Sequence, residues 1–399
     1  MFPYLLLIFV PLLFAFVSPR ATVEKGRRRW SLAIGTKPDI VSQSLMLPAF
    51  FVCFFLLLIL RDETIGTDLS AYERYFLLAR YGESMGTSDP SLYQQFFDEY
   101  AGYAGKSFTE LFDLTRDPLY WLLTWVVARF TGNFRWFIVI ISAIILIPIA
   151  KVYCKEREHG YLKLLLFVNL PTFVMVFSGL RQAVAISFGL LAYEYVREKK
   201  WIQFLLVALL AFGFHHTGFI IFLFYPLYHL PLKRKYLWVA IGGIGLTFVF
   251  NKPIFTWATD LLNRIFGEDY NTTIQETGAY TMLILFVLFA IFAYVLPDEQ
   301  KMDQDALGLR NFLLMAVFLQ CFAPLHTLAM RMNYYFVLFI PLLIPKILKY
   351  AKSNLKGLAD IAKWVMTAFF LVYFLVEVYT ACQTGISALG TYPYVPFWR

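Results

Sequence analysis

Three runs in this chain, Ile138–Ala150, Tyr280–Leu296 and Val337–Pro345, contain no charged residue at all. Such runs cannot lie in water without exposing an apolar surface, and their repetition along one chain leaves few architectures open. The rest of the sequence agrees: 59% of its 399 residues are hydrophobic and only 16% charged, where soluble domains average ~45–50% and ~25%. The pattern predicts an all-α fold, a polytopic integral membrane helical bundle forming a single membrane domain over residues 1–399. A membrane β-barrel would alternate apolar and polar residues along strands of ~10 residues, and that alternation is absent.

The net charge of +8 does not point to nucleic acid, because the basic excess lies in short loops. There it reports topology instead. Arg20–Lys37 holds six basic residues and one acidic, which places it in the cytoplasm by the positive-inside rule. Met1–Ser18 is apolar with its basic residues after it, the reverse of a secretory signal, and reads as a first span with its N-terminus outside. A second span over about Leu45–Leu60 then leads to Arg61–Asp117, with eleven acidic residues against five basic and no long apolar run. This is expected to be a large external loop (61–117) carrying short surface helices. Pro118–Phe130 is amphipathic and rich in Trp and Tyr, as an interfacial or re-entrant helix on the external face would be. Later spans include Tyr161–Ser178, Ala183–Val196, Trp201–Gly213, Gly218–Leu230, Tyr236–Phe250 and Tyr334–Pro345, with a second external loop over 251–279. The total is about eleven spans. Cys53, Cys154, Cys321 and Cys382 sit in or near separate apolar segments with no metal-ligand spacing, so they read as small hydrophobes.

Loop charge places Arg61, Asp68, Arg181, His215, His216 and Arg331 at external ends of spans. Within Ser178-Gly179-Leu180-Arg181-Gln182, Arg181 stands alone between two apolar runs. A guanidinium at mid-bilayer on an isolated helix costs at least ~2.5–3.5 kcal/mol, so its position needs a reason. It could cap a helix or snorkel to lipid headgroups; it is also well shaped for bidentate phosphate binding. Arg331 with Tyr334-Tyr335 could be an interface anchor, or a second cation on the same face. Asp62 and Glu63 read as a solvated turn. Adjacent histidines on a helix point apart, which makes His215-His216 a poor metal pair. One of them serving as a base or hydrogen bonder is more economical. Asn271-Thr272-Thr273 matches a glycosylation sequon, a pattern too short to carry weight.

Four of these pieces, in this order, resemble the EpsG family of bacterial exopolysaccharide proteins, similar in role to Wzy-type O-antigen and capsule polymerases. They are Arg61 with Gly66-Thr67-Asp68 and Tyr72; Gly179-Leu180-Arg181-Gln182; Phe214-His215 with Thr217; and Arg331 with Tyr334-Tyr335. Asp117-Pro118-Leu119-Tyr120 occupies the place of an acidic-Pro-Gly-Tyr pattern, with Leu119 where the family has glycine. The resemblance spans roughly residues 45–350; residues 1–40 and the tail after Tyr350 carry none of it.

The resemblance implies a membrane glycosyltransferase at the external face of the bacterial inner membrane. It would join oligosaccharide repeat units carried on undecaprenyl pyrophosphate. A sugar hydroxyl of a lipid-linked acceptor attacks the donor's anomeric carbon and the lipid pyrophosphate leaves. Fixed cations would stabilise that leaving charge, a role suited to Arg181 and Arg331 with Arg61. His215 or Asp68 would take the proton, His215 being preferred because it breaks an apolar hairpin; Asp68 could instead orient His215. Gln182, Tyr72, Thr217 and Tyr335 complete the expected substrate-binding set. No metal or cofactor is called for. Expected partners are the lipid-linked substrate, membrane lipids, a flippase and a chain-length regulator.

Three rival readings differ in chemistry. A membrane-bound acyltransferase also uses intramembrane His and Arg, but needs a cytoplasmic acyl-donor route. A lipid-linked oligosaccharide flippase spreads charge through the membrane depth, often over paired repeats, whereas here charge clusters on one face without a repeat. A glycan ligase would share the polymerase's chemistry.

Overall fold

The computed structural model describes residues 1–15, 17–24, 27–34, 45–81, 117–155, 158–231, 237–266 and 280–398. Most of the expected 61–117 loop (82–116), the basic residues Lys233, Arg234 and Lys235, and 267–279 with its sequon lie outside them. The chain order begins with α1 (Phe2–Phe14), a hairpin of β1 (Val17–Glu24) and β2 (Arg27–Ile34), α2 (Met46–Ile59), α3 (Leu69–Tyr81), α4 (Pro118–Phe130) and α5 (Phe134–Lys155). It continues with α6 (Gly160–Asn169), α7 (Pro171–Ser178), α8 (Leu180–Arg197), α9 (Trp201–Phe214), a 3-10 helix His216–Leu223 and α10 (Phe224–His229). Then come α11 (Leu237–Val249), α12 (Asn251–Phe266), α13 (Tyr280–Val295), α14 (Gln304–Gln320), α15 (Thr327–Val337), α16 (Ile340–Lys349) and α17 (Lys356–Thr384).

The helical bundle matches the expected class, with one departure. An antiparallel hairpin, with Val17 opposite Ile34 and Glu24 opposite Arg27, begins at the end of the run read as the first span and occupies most of the segment read as a basic cytoplasmic loop. Large apolar side chains on the outer surface of α9 (Leu205, Leu206, Leu209, Leu210) and α17 (Ile361, Val365, Phe369, Val372) are exposed. That suits a bilayer, where helices satisfy their own backbone and present hydrocarbon outward.

Three runs read from hydropathy as single spans, Tyr161–Ser178, Gly218–Leu230 and Tyr334–Pro345, are broken. Phe134–Lys155 and Ser353–Thr384 are each long and apolar enough to cross; α6 with α7, α11 with α12, and α15 with α16 qualify only as pairs, bent by 60°, 84° and 44°. Length and composition alone therefore do not fix a count of about eleven. Leu170 marks the cause of the first break. Pro171 disfavours the helical region for the residue before it, and Leu170 is extended at φ −97°, ψ 151°. The amide of Asn169 donates to the carbonyls of Leu165 (2.7 Å) and Phe370 (2.9 Å), satisfying backbone groups near the break. Gly218–Leu230, expected as one helix, is a 3-10 segment followed by the short α10. Residues after Phe250, expected as loop, begin with α12.

Two polar layers fasten the ends of α8. At its C-terminal end, Asp305 accepts hydrogen bonds from the hydroxyls of Tyr193 (2.6 Å) and Tyr228 (3.0 Å) and pairs with Arg197 (3.2 Å) and Lys346 (3.0 Å). This ties together α8, α10, α14 and α16, with several partners around one buried charge, as buried ions require. The other layer, at the N-terminal end of α8, contains Arg181.

Candidate functional site

Arg181 owes its place to two breaks. Gly179, at φ −80° and ψ 66°, separates α7 from α8 and puts Arg181 in the first turn of α8. Its Nη1 lies 2.8 Å from Oδ2 of Asp117. The guanidinium also lies 5.9 Å from the ring of Tyr72 and 5.8 Å from that of Tyr120, within reach of cation–π attraction. Both tyrosines are buried, so they form an aromatic floor beneath the arginine.

Asp117 immediately precedes Pro118, the first residue of α4, and its carboxylate makes no cap to its own helix. It turns instead toward the junction after α9. There His215 leaves the helix with φ −158° and ψ 129°, and the chain doubles back into the 3-10 helix. Gly218 permits the close return, because a Cβ there would lie 2.8 Å from the backbone of Ala211. As a result both histidine rings face one carboxylate. His215 Nδ1 is 3.2 Å from Asp117 Oδ2, the backbone N–H of His216 donates to Oδ1 at 3.1 Å, and His216 Nδ1 is 3.5 Å from Oδ1. Neighbouring histidines diverge on a helix, but here the chain is extended at His215.

Asp117 is 1% exposed and His215 8%, while the side chains of Arg181 and His216 are 28% and 41% exposed. Burial alone would raise the Asp117 pKa. Hydrogen bonds from His215 and His216 and the charge of Arg181 more than offset it and hold the carboxyl well below its usual range. Burial also pushes the His215 imidazole below its ordinary 6.5, against the opposing pull of Asp117. A neutral imidazole on an ionised carboxylate is the arrangement of an oriented base.

The other expected residues gather around this core. Ser178 Oγ is 2.7 Å from Thr67 Oγ1 and accepts from the Asp68 backbone N–H at 3.3 Å. Gly66-Thr67-Asp68 is thereby fixed to the turn that carries Arg181. Asp68 is half-buried, and its Oδ1 accepts from Thr67 at 3.1 Å; the carboxylate that meets His215 is that of Asp117. Gln182 donates to the backbone carbonyl of Arg331 at 2.8 Å, and the Arg331 residue itself is exposed. Thr217 and Tyr335 share a buried hydroxyl pair at 3.0 Å, joining the 3-10 helix to α15. Arg61 is fully buried; it donates to the carbonyl of Phe177 at 2.8 Å and stacks 5.4 Å from that ring, at the carbonyl end of α7.

Sequence reasoning missed Asp117 and Tyr120 as site residues. Their signal was an acidic residue directly before a proline that opens an aromatic-rich helix. It also missed the contribution of the C-terminal tail. The backbone N–H groups of Gly66 and Thr67 donate to Gly390 (3.0 Å) and Leu389 (3.1 Å), and Asp62 donates to Val395 (2.8 Å). Asp117, His215 and His216 offer three donor atoms all within 4.8 Å of one another, a set that could hold a divalent ion.

The EpsG family model matches residues 46–395. The chain belongs to the EpsG family. This EpsG family match runs past Tyr350 into the tail that pairs with Gly66 and Thr67. The chain is also similar to the EPS I polysaccharide export inner membrane protein EpsF of Ralstonia nicotianae, with 28% identity over 204 residues. That alignment covers 47% of this chain and 48% of EpsF, so the chain spans about half the length of the curated relative it matches. No solved structure matches.

Proposed function

We propose that this EpsG family protein is a polysaccharide polymerase of the bacterial inner membrane, acting at the external face on repeat units carried by undecaprenyl pyrophosphate. The observation that carries the proposal is the shared carboxylate: Asp117 Oδ2 meets both Arg181, at 2.8 Å, and His215, at 3.2 Å. One buried group thus holds a cation suited to pyrophosphate beside a base suited to a hydroxyl. Family membership and the named role of EpsF in polysaccharide export support a polysaccharide substrate.

In this reading His215 presents Nε2 to the acceptor hydroxyl while Nδ1 is held by Asp117. The hydroxyl oxygen bonds to the anomeric carbon, the bond from that carbon to the pyrophosphate breaks, and the hydroxyl proton passes to His215. The electron pair leaves on the lipid pyrophosphate, where Arg181 and the exposed Arg331 stabilise it more in the transition state than in the ground state. Tyr72 supports the guanidinium of Arg181, and Gln182 fixes the backbone of Arg331. Asp68, Thr217, Tyr335 and Arg61 act by position: they hold the turns that carry Arg181 and His215. A flippase and a chain-length regulator would act before and alongside this step.

The direct test is to incubate the purified protein with lipid-linked repeat units and resolve the products. A ladder that disappears in Arg181→Ala and in His215→Ala is expected. A ladder that persists undiminished in either variant would remove that residue from the chemistry.

A further inference from the structure

Asp117 and an incoming pyrophosphate would compete for the same guanidinium. The pair is lopsided: Asp117 is 1% exposed, whereas 28% of the Arg181 side chain reaches the surface. An anion arriving from solvent therefore meets the arginine first and cannot approach Asp117. Asp117 does not depend on Arg181 alone. It also receives the His216 backbone N–H at 3.1 Å and faces Nδ1 of His215 at 3.2 Å and Nδ1 of His216 at 3.5 Å. If Arg181 turns away, the carboxylate keeps these three contacts, so losing the arginine does not leave a bare buried charge. Arg181, for its part, has the rings of Tyr72 and Tyr120 beside it, aromatic faces on which a planar guanidinium stacks. A diphosphate offers it the bidentate, doubly charged partner that a shared carboxylate oxygen does not.

We propose that Asp117 is the resting counter-ion of Arg181 and is displaced from it when the donor pyrophosphate binds, after which its carboxylate serves the histidines alone. The exchange makes base positioning follow donor binding: Oδ2 is divided between Arg181 and His215 in the empty site and belongs to His215 in the loaded one. It also keeps the cation paired before substrate arrives. This inference rests on the pyrophosphate reading above and adds an order of events to it.

The test uses full-length purified protein in detergent, with inorganic pyrophosphate as the probe, and reads binding and turnover separately. Asp117→Asn removes the competing charge while preserving the side-chain shape. Its affinity for pyrophosphate should rise roughly three- to tenfold while turnover on lipid-linked repeats falls. Opposite signs on binding and turnover are not what a merely structural residue produces. Arg181→Ala should lose pyrophosphate binding. Equal or weaker binding in Asp117→Asn, with Arg181→Ala still defective, overturns the exchange and leaves the pyrophosphate reading standing. Pyrophosphate binding that ignores Arg181 altogether would overturn the reading itself. Should Asp117→Asn fail to fold, the wild type supplies the second measurement. In a 15N-histidine spectrum, pyrophosphate should shift the His215 Nδ1 resonance, and that shift should be absent in Arg181→Ala. A resonance that stays put at saturating pyrophosphate sinks the exchange.

Discussion

Thr67 and Ser178, 111 positions apart, share a hydroxyl–hydroxyl hydrogen bond of 2.7 Å. That bond joins the Gly66-Thr67-Asp68 turn to the break before Arg181, and Gly66 makes the approach possible. Gly66 has φ +99°, and a Cβ there would sit 2.2 Å from the carbonyl oxygen of Phe177. Gly66→Ala is therefore expected to cost about 1–3 kcal/mol from backbone strain alone. The check is a lowered melting temperature in detergent together with loss of polymer output.

Arg181→Lys keeps the charge and loses the planar fork. If the arginine stabilises a leaving pyrophosphate through two parallel donors, turnover should drop by about 10²-fold or more. Quantifying the product ladder against wild type at equal membrane expression decides the matter; full output from the lysine variant would remove the bidentate role.

His215 is buried, and its pKa lies below the 6.5 of a free imidazole. The base form therefore persists at pH values under 6.5, and activity should fall only as pH drops through the lowered value. The acid limb of kcat/KM is expected below pH 6.5. Asp117 opposes that lowering, so Asp117→Asn should move the limb to still lower pH. An acid limb above pH 6.5 in wild type would contradict His215 as the base.

The tail from Ala388 to Phe397 straps the same turn. Besides its bonds to Asp62, Gly66 and Thr67, the N–H of Phe397 donates to Leu60 at 3.1 Å, and Tyr394 donates to the Leu57 carbonyl at 3.0 Å. Removing 388–399 should leave a membrane-inserted protein with greatly reduced activity. Normal polymer output from the truncated protein would show that the turn holds its place without the strap.

Arg181 and Arg331 supply the positive charge that the leaving group needs in the proposed reaction. Polymerisation by purified protein should then survive a chelator such as EDTA. If the ladder vanishes and returns on adding a divalent ion, the three donors of Asp117, His215 and His216 become its binding site and the base assignment falls.

Much of this protein is legible in its sequence for a physical reason. Hydropathy is a local property, so uncharged runs such as Ile138–Ala150 and Tyr280–Leu296 announce membrane helices wherever they occur. An arginine such as Arg181, stranded between such runs, marks itself by its cost. The structure brings the Arg181, His215, Asp68 and Arg331 motifs together. The kinks at Pro171 and Gly179 are also written locally, although hydropathy smooths over them. Partner choice is different. Asp117 stands 64 positions from Arg181 and 98 from His215, and no periodicity links them; the motifs offered Asp68 as the carboxylate that could orient the histidine. Only the packing of α4 against α9, and the extended backbone at His215, bring one buried carboxylate to both groups. The sequence alone determined a membrane helical bundle and its costly polar residues. Tertiary structure decided which of them meet, because a buried ion pair depends on distances between helices that the order of residues does not contain.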